Sequence, residues 1–490
     1  MSDDHAAVTY ADGTVRGRRL ADLLSWRGIP YAAPPVGPLR LRAPRPVSPW
    51  AGVRDALSFG PPAPQRRRRG SEDCLTLNVL RQAEPSAAPR PVMVYIHGGA
   101  HTAGTSAAPM YSGASLVRRG DVVFVSLGYR LGALGYLDFR EFSTPEHTFD
   151  VNLGLRDQIA ALEWVQRIAA FGGDPSNVTL FGESAGADAV VTLMCTPAAR
   201  GLFARAIAQS PPPATSNGTD LAGLWAREFL DLAGVSRADA AHYLTTASPE
   251  ALVRTSATLS ARGADEVPGV RPFAPVADGA VLPDHPLDAF EAGTEHRVPL
   301  IIGTNAQEGR IFPRMLDILP TDRTRIEKMF EGTDPAIAAR VTAAYPGYPR
   351  RRAAADLGGD VVFWEPSLRC AHAHTRHTET YMYRYDFAPR LLHLAGLGAT
   401  HATELFAVFG RRGVGVRTLT ALGGRKGLRA VTETMQRHWL EFAHSGRPLD
   451  SWPRYSSEHR DTLIIDEVCR VECDPARRRR EAWLGYRHRH

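Results

Sequence analysis

Asn177-Val-Thr-Leu-Phe-Gly-Glu-Ser-Ala-Gly186 reads as a buried strand running into a sharp turn that opens a helix. Val178 to Phe181 supply a β-branched and aromatic run, and Ala185 to Cys195 supply a helix-compatible apolar segment. Between them lies Gly182-Glu-Ser-Ala-Gly186. The flanking glycines let strand and helix approach closely, so Ser184 is expected at the apex with its hydroxyl exposed. A Gly-x-Ser-x-Gly pattern alone arises by chance in many loops. It is the strand before and the helix after that mark Ser184 as a candidate nucleophile.

Working outward, Pro91-Val-Met-Val-Tyr-Ile96 and Asp121-Val-Val-Phe-Val-Ser126 are continuous apolar runs, the pattern of strands buried on both faces of a parallel sheet. Between them and the Ser184 turn, Gly154 to Ala170 places Leu155, Ile159, Leu162, Val165 and Ala169 at helical spacing, and Phe171-Gly-Gly-Asp-Pro175 stops that helix. Strand, helix and strand in this order predict an α/β fold with a large, mostly parallel central sheet and helices on both faces. Phe203 to Ala208, Val298 to Gly303, Thr380 to Tyr385 and Thr462 to Ile465 are further strands, the last of these closing the sheet. Val431 to Ser445 is a helix. Residues 1 to 60, rich in Gly and Pro, read as a surface wrap, and 320 to 375 as helical and polar. With no internal repeat and no long linker, residues 1–490 are expected to form a single domain. Helical cap insertions are placed near 214–270 and 310–375, with pocket walls from the first and from loops around 310 to 330.

Composition narrows the function classes. The 490 residues are 44% apolar, enough for a large core. The net charge of +6 is carried almost wholly by arginine, with Lys328 and Lys426 the only lysines. Arg66 to Arg69 and Arg477 to Arg480 are tight basic runs without interleaved aromatics, so they read as solvated surface and no nucleic-acid partner is expected. Cys74, Cys195, Cys370, Cys469 and Cys473 lack metal-ligand spacing and suggest reduced thiols. No apolar run is long enough for a membrane span, and the acidic first residues lack a signal-peptide pattern. A cytoplasmic location without a membrane partner is expected.

A serine hydroxyl needs a base to take its proton, and the base needs an acid to orient it. In doubly wound sheets these groups sit on loops beyond the carboxyl ends of strands. Glu308 follows the strand ending at Gly303, and His401 follows the strand ending near Tyr385. His393 is the nearest rival base, and Asp278 and Asp386 are alternative acids. Gly98-Gly99-Ala100, after the 91–96 strand, offers unobstructed backbone NH groups for an oxyanion. The NH of Ala185 completes that set.

Taken together, these stretches resemble the type-B carboxylesterases, the family of bacterial para-nitrobenzyl esterases and, more distantly, cholinesterases. The resemblance is carried by Trp26-Arg-Gly-Ile-Pro-Tyr-Ala32, Ser71-Glu-Asp-Cys-Leu-Thr-Leu-Asn78, His97-Gly-Gly-Ala100, Asn152-Leu-Gly-Leu-Arg-Asp-Gln158, Phe171 to Gly186, Gly303-Thr-Asn-Ala-Gln-Glu-Gly309 and His401-Ala-Thr-Glu-Leu405. It implies an α/β-hydrolase fold with Ser184 as nucleophile, Glu308 as acid and His401 as base. Gly99, Ala100 and Ala185 are implied as oxyanion donors. Ser210 matches a second serine that the family places behind the triad.

The implied activity is hydrolysis of a small-molecule carboxylic ester through an acyl-enzyme, with no metal or organic cofactor. Alternatives are the same triad acting on a lactone, carbamate or amide, or in a non-hydrolytic biosynthetic step, and a non-catalytic binding homologue. The oligomeric state is left open. Three positions depart from the family pattern. His101 stands where an aromatic residue is usual and reads either as a polar group beside the acyl pocket or, by a slight preference, as facing solvent; Pro211 stands after Ser210 where glycine is usual, and Asp188 falls one helical turn after Ser184 where small neutral residues are common.

Overall fold

The structure is a computed structural model and describes residues 5–489. One 13-stranded sheet dominates it. Its strands are β1 (His5–Tyr10), β2 (Gly13–Leu20), β3 (Leu23–Pro30), β4 (Val53–Asp55), β5 (Thr76–Gln82), β6 (Arg90–Ile96) and β7 (Val123–Leu127), then β8 (Gly173–Glu183), β9 (Arg205–Gln209), β10 (Leu300–Asn305), β11 (Thr380–Tyr385), β12 (Asp461–Ile465) and β13 (Arg470–Cys473). The order across the sheet is β1-β2-β3-β5-β7-β6-β8-β9-β10-β11-β12-β13, with β4 on β2. From β7 to β12 every pairing is parallel. Antiparallel strands extend both edges.

Period-two alternation explains how the sheet is covered. On β6, Val92, Val94 and Ile96 face one apolar core while Met93 and Tyr95 face another. On β8, Val178 and Leu180 join the first core and Phe181 the second. Helix α1 (Leu153–Val165) covers the first face with Leu155, Ile159, Leu162 and Val165, aided by α2 (Ala185–Met194). The opposite face is covered by α7 (Arg425–Ser445), through Val431, Met435, Trp439 and Phe442. Each face therefore has its own oil-filled interior, and the sheet is a rigid platform between them.

Register then gathers the loops. Ile96 pairs with Gly182, Glu183 with Gln209, Gln209 with Gly303, and Asn305 with Tyr385. The chain after β6, β8, β9, β10 and β11 therefore emerges at one end of the sheet, as the parallel pattern requires.

Several expectations need correction. Residues 1 to 60 are not only a wrap, because β1 to β3 form an antiparallel edge of the main sheet, with β4 added in parallel to β2. Their patterning is masked by positions such as Gly17, where a Cβ would lie 2.5 Å from Cδ1 of the fully buried Trp26. Helix α1 ends at Val165, and a 3-10 turn at Ile168–Phe171 completes the segment predicted as one helix. The 462–465 strand is not the last, since β13 follows it.

Residues 214–270 contain α3 (Thr219–Ala233), α4 (Ala240–Thr246) and α5 (Pro249–Glu266), as the periodicity predicts. The 320 to 375 stretch is helical but not simply polar. Phe312, Leu357, Val361, Phe363 and Trp364 pack with Trp483 and Tyr486 into a third core, and α6 (Glu365–His374) follows a π-helical turn at Asp360–Trp364. The 477–480 run is also only partly a solvated surface: Arg479 pairs with Asp360 and Arg480 with Asp474.

Candidate active site

Ser184 sits between β8 and α2 at φ 57°, ψ −127°, a strained conformation for a residue with a side chain. The neighbouring glycines make that turn possible. A Cβ on Gly182 would lie 2.4 Å from the carbonyl oxygen of Gly186, and one on Gly186 would lie 2.1 Å from that of Ile96. Helix α2 starts at Ala185, whose NH belongs to the unpaired first turn. Ser184 is 8% exposed, and among the described residues its hydroxyl has no hydrogen-bond partner.

The loop after β6 is equally constrained. Gly98 lies against the Ser184 turn, where an added Cβ would be 2.5 Å from the Glu183 carbonyl oxygen and 3.0 Å from Ser184 Cβ. Gly99 has φ +124°, and Ala100 and His101 both have φ 56°. That backbone curls so that Gly99 accepts hydrogen bonds from the NH groups of Thr102 and Ala103. Among the described residues, the NH groups of Gly99 and Ala100 have no backbone acceptor.

Glu308, 1% exposed, follows β10 and is held from two sides. Its Oε1 accepts from the Ser210 hydroxyl and from the Asn305 NH, both at 2.6 Å, while Oε2 lies 2.6 Å from Nδ1 of His401. Ser210 comes into place because β9 ends beside β8 and β10. Its φ is 53°, in the left-handed region, and Pro211 follows it. The His401 ring lies against Phe363 and Phe312, with centroids 4.4 and 5.1 Å away.

Ser210, Glu308 and His401 are thus directly connected. Ser184 is not hydrogen-bonded to His401. Instead, Nε2 of His401 stands 3.2 Å from Oε1 of the adjacent Glu183, without the angles of a hydrogen bond. Such contacts often tighten only when substrate is bound.

The alternatives fall elsewhere. Asp278 caps the NH groups of Ala280, Val281 and Leu282, Asp386 pairs with Arg384, and His393 is exposed.

Two groups were not singled out from sequence. Glu183 and Glu404 are buried beside Glu308, and Asn305 Nδ2 donates to Glu404 at 2.7 Å. Burial pushes the Glu183 carboxyl up, with Glu404 and Glu308 adding to the rise and His401 opposing it. Glu404 is likewise raised by burial and by Glu308. Burial would lower His401, but Glu183 and Glu308 outweigh it and leave the imidazole raised. Glu183 is the variable position of the Gly-x-Ser-x-Gly pattern and Glu404 lies one helical turn after His401. Being ionisable at those offsets was the only available signal.

His101 corrects an expectation. It is 1% exposed rather than facing solvent, stacks near Tyr136, and places Nε2 2.9 Å from Oδ2 of the fully buried Asp188. The two departures from the family pattern are therefore partners.

A cavity of about 400 Å³ opens beside Thr102 and Ala103. Leu252, Val253 and Ser256 of α5 and Met315 to Ile318 line it, together with Leu131 to Leu134 and the exposed Arg66 and Arg67. A smaller void of about 30 Å³ shares Thr102, Ser260, Leu316 and Ile318 with it and reaches Ala100.

Comparison with known proteins agrees with this architecture. The model of the carboxylesterase family matches residues 4–483. The para-nitrobenzyl esterase of Bacillus subtilis (strain 168) is 35% identical, over 97% of this chain and 98% of its own length. The fumonisin B1 esterase of Sphingopyxis macrogoltabida is 34% identical over 93% and 86%. A solved PNB esterase structure superposes with a TM-score of 0.86 at 34% identity, covering 98% of this chain and all of that one. A carboxylesterase of Geobacillus stearothermophilus gives 0.85 at 34% identity, with the same coverage. Over nearly its whole length, then, this chain belongs to the carboxylesterase family and is a carboxylic ester hydrolase of the α/β-hydrolase fold.

Proposed function

We propose that Ser184, His401 and Glu308 carry out ester hydrolysis as nucleophile, base and acid, and that the NH groups of Gly99, Ala100 and Ala185 bind the oxyanion. The observation that carries this reading is Glu308, which bridges Ser210 and His401 through its two oxygens at the carboxyl end of the sheet, beside the strained Ser184. His401 takes the proton of Ser184, and the alkoxide attacks the ester carbonyl. The negative charge on the carbonyl oxygen is met by preorganised NH groups. Collapse of the tetrahedral intermediate expels the alcohol, protonated by His401, and leaves an acyl-enzyme. A water deprotonated by His401 then releases the acid. Gly98 keeps the oxyanion loop close to Ser184, and Ser210 fixes Glu308.

In this reading the chain works as one domain, with α3 to α5 and the 310–375 segment capping the site, on small-molecule esters in the cytoplasm. No helix among the described residues is long and apolar enough to cross a membrane.

The test is pre-steady-state hydrolysis of para-nitrophenyl butyrate. Wild type is expected to release one equivalent of nitrophenol in a burst before turnover, and Ser184→Ala to lose the burst and about 10⁵-fold or more in kcat. Retained activity in Ser184→Ala would remove Ser184 from the mechanism.

A further inference from the structure

Arg271, in the chain after α5, is 6% exposed and lines the small void that reaches Ala100. Its Nε and Nη1 are buried without a hydrogen-bond partner. The rest of the void is apolar or small, with Phe273, Val270, Ala264, Leu316 and Ile318 in its wall. Burial lowers the guanidinium to about 10, with the Asp188 carboxylate opposing the fall, so the group is a cation at neutral pH.

Unpaired buried guanidinium groups are rare. Leaving such a cation unsatisfied is worth several kcal/mol against folding, so its persistence calls for a partner. Asp188 acts on it through space, but its Oδ2 is engaged by His101 Nε2 and its Oδ1 has no hydrogen-bond partner. Arg271 thus lies in the wall of the void with two unpaired guanidinium nitrogens, the planar fork of donors that recognises a carboxylate in bidentate fashion. A tetrahedral phosphate is bulkier and more highly charged, and both properties disfavour it in a small void beside Asp188.

The chemistry of the reaction fixes which part of the substrate lies there. His401 must return its proton to the leaving alkoxide, so the alcohol lies on the His401 side, against Phe312 and Phe363. The acyl chain is left on the side of the oxyanion loop, where Ala100 and Arg271 share a wall.

We infer that this esterase prefers half-esters of dicarboxylic acids, with Arg271 binding the free carboxylate of the acyl group. The inference rests on the serine-triad reading above. It adds a substrate class to that reading.

The experiment compares monoethyl glutarate with ethyl pentanoate, which has the same number of acyl carbons and no charge, by chromatographic product analysis. Wild type is expected to favour the half-ester at least tenfold in kcat/KM, and glutarate is expected to inhibit it competitively. In Arg271→Gln the ratio between the two substrates should fall to near 1, with Arg271→Lys in between. Equal kcat/KM in wild type, or a loss in Arg271→Gln that is the same for both substrates, overturns the inference and makes Arg271 part of a self-contained cluster with Asp188. The wild-type preference needs no variant, so a misfolded Arg271→Gln protein does not remove the test. Calorimetric titration of glutarate into Ser184→Ala reads carboxylate binding without turnover. Binding there together with undiminished hydrolysis would reject the triad and keep the Arg271 site, whereas absence of binding with a normal wild-type burst would do the reverse.

Discussion

The charge around His401 is set by three buried carboxyl groups rather than one. A base must be neutral to take a proton, and Glu183 and Glu308 both favour the protonated imidazole against the opposing effect of burial. If His401 is the base, as proposed, activity is expected to rise with pH as His401 deprotonates, through a value above the ordinary histidine range. Replacing Glu183 with Gln removes the carboxylate that faces Nε2. The acidic limb of kcat/KM against pH is then expected to move to lower pH, and an unmoved or raised limb would show that Glu183 does not act on His401. Ser210 acts through a different contact. Its hydroxyl donates to Glu308, and a hydrogen bond to a charged group is worth about 1.5–3 kcal/mol. Ser210→Ala should lower kcat by about 10-fold or more with little change in KM. A changed KM with an unaltered kcat would place Ser210 outside the support of the triad.

The elements around Ser184 work because backbone atoms come closer than side chains allow. At Gly99, φ +124° and a Cβ that would lie 2.1 Å from the Ala103 carbonyl oxygen leave room only for glycine. Gly99→Ala must rotate or shift the loop, which would misaim the NH groups proposed to bind the oxyanion. A drop in kcat of about 10²–10³-fold is expected, the effect of losing one such donor. Thermal unfolding measured beside it should show a smaller change, because the loop is not part of either core. An active Gly99→Ala enzyme would argue that the oxyanion is bound elsewhere.

Across the described residues, the two faces of the sheet are sealed by separate cores, and buried polar contacts tie separate segments of the chain together. One group that joins distant segments is Arg130, after β7, which is 3% exposed and bonded to the fully buried Asp157 of α1 at 2.8 and 2.6 Å. Its Nη1 also donates to the carbonyl of Arg42, tying the N-terminal segment to the same point. Removing one member of such a pair leaves an uncompensated charge. Arg130→Met should destabilise the fold by about 3–5 kcal/mol, visible as a lower urea midpoint. An unchanged midpoint would mean that water reaches Asp157.

The sequence by itself determined the parallel centre and the turn at Ser184, because both rest on local rules. Continuous apolar runs mark doubly covered strands, and glycines at 182 and 186 mark a backbone approach. That Glu308 and His401 belong with Ser184 is a proposal drawn from loops that follow strands, Glu308 three residues after Asn305 and His401 after a longer connection containing the Arg390–Leu394 helix. The edge formed by β1 to β4 was hidden, since part of its burial is supplied by Trp164 of α1, against Tyr10, and by Phe171, against Trp26, both far along the chain. Only the tertiary structure could decide that His101 and Asp188, 87 positions apart, form a buried pair, and that Glu183 and Glu404 crowd the same pocket as Glu308. Burial of an ionisable group depends on what folds over it, and no local pattern records that.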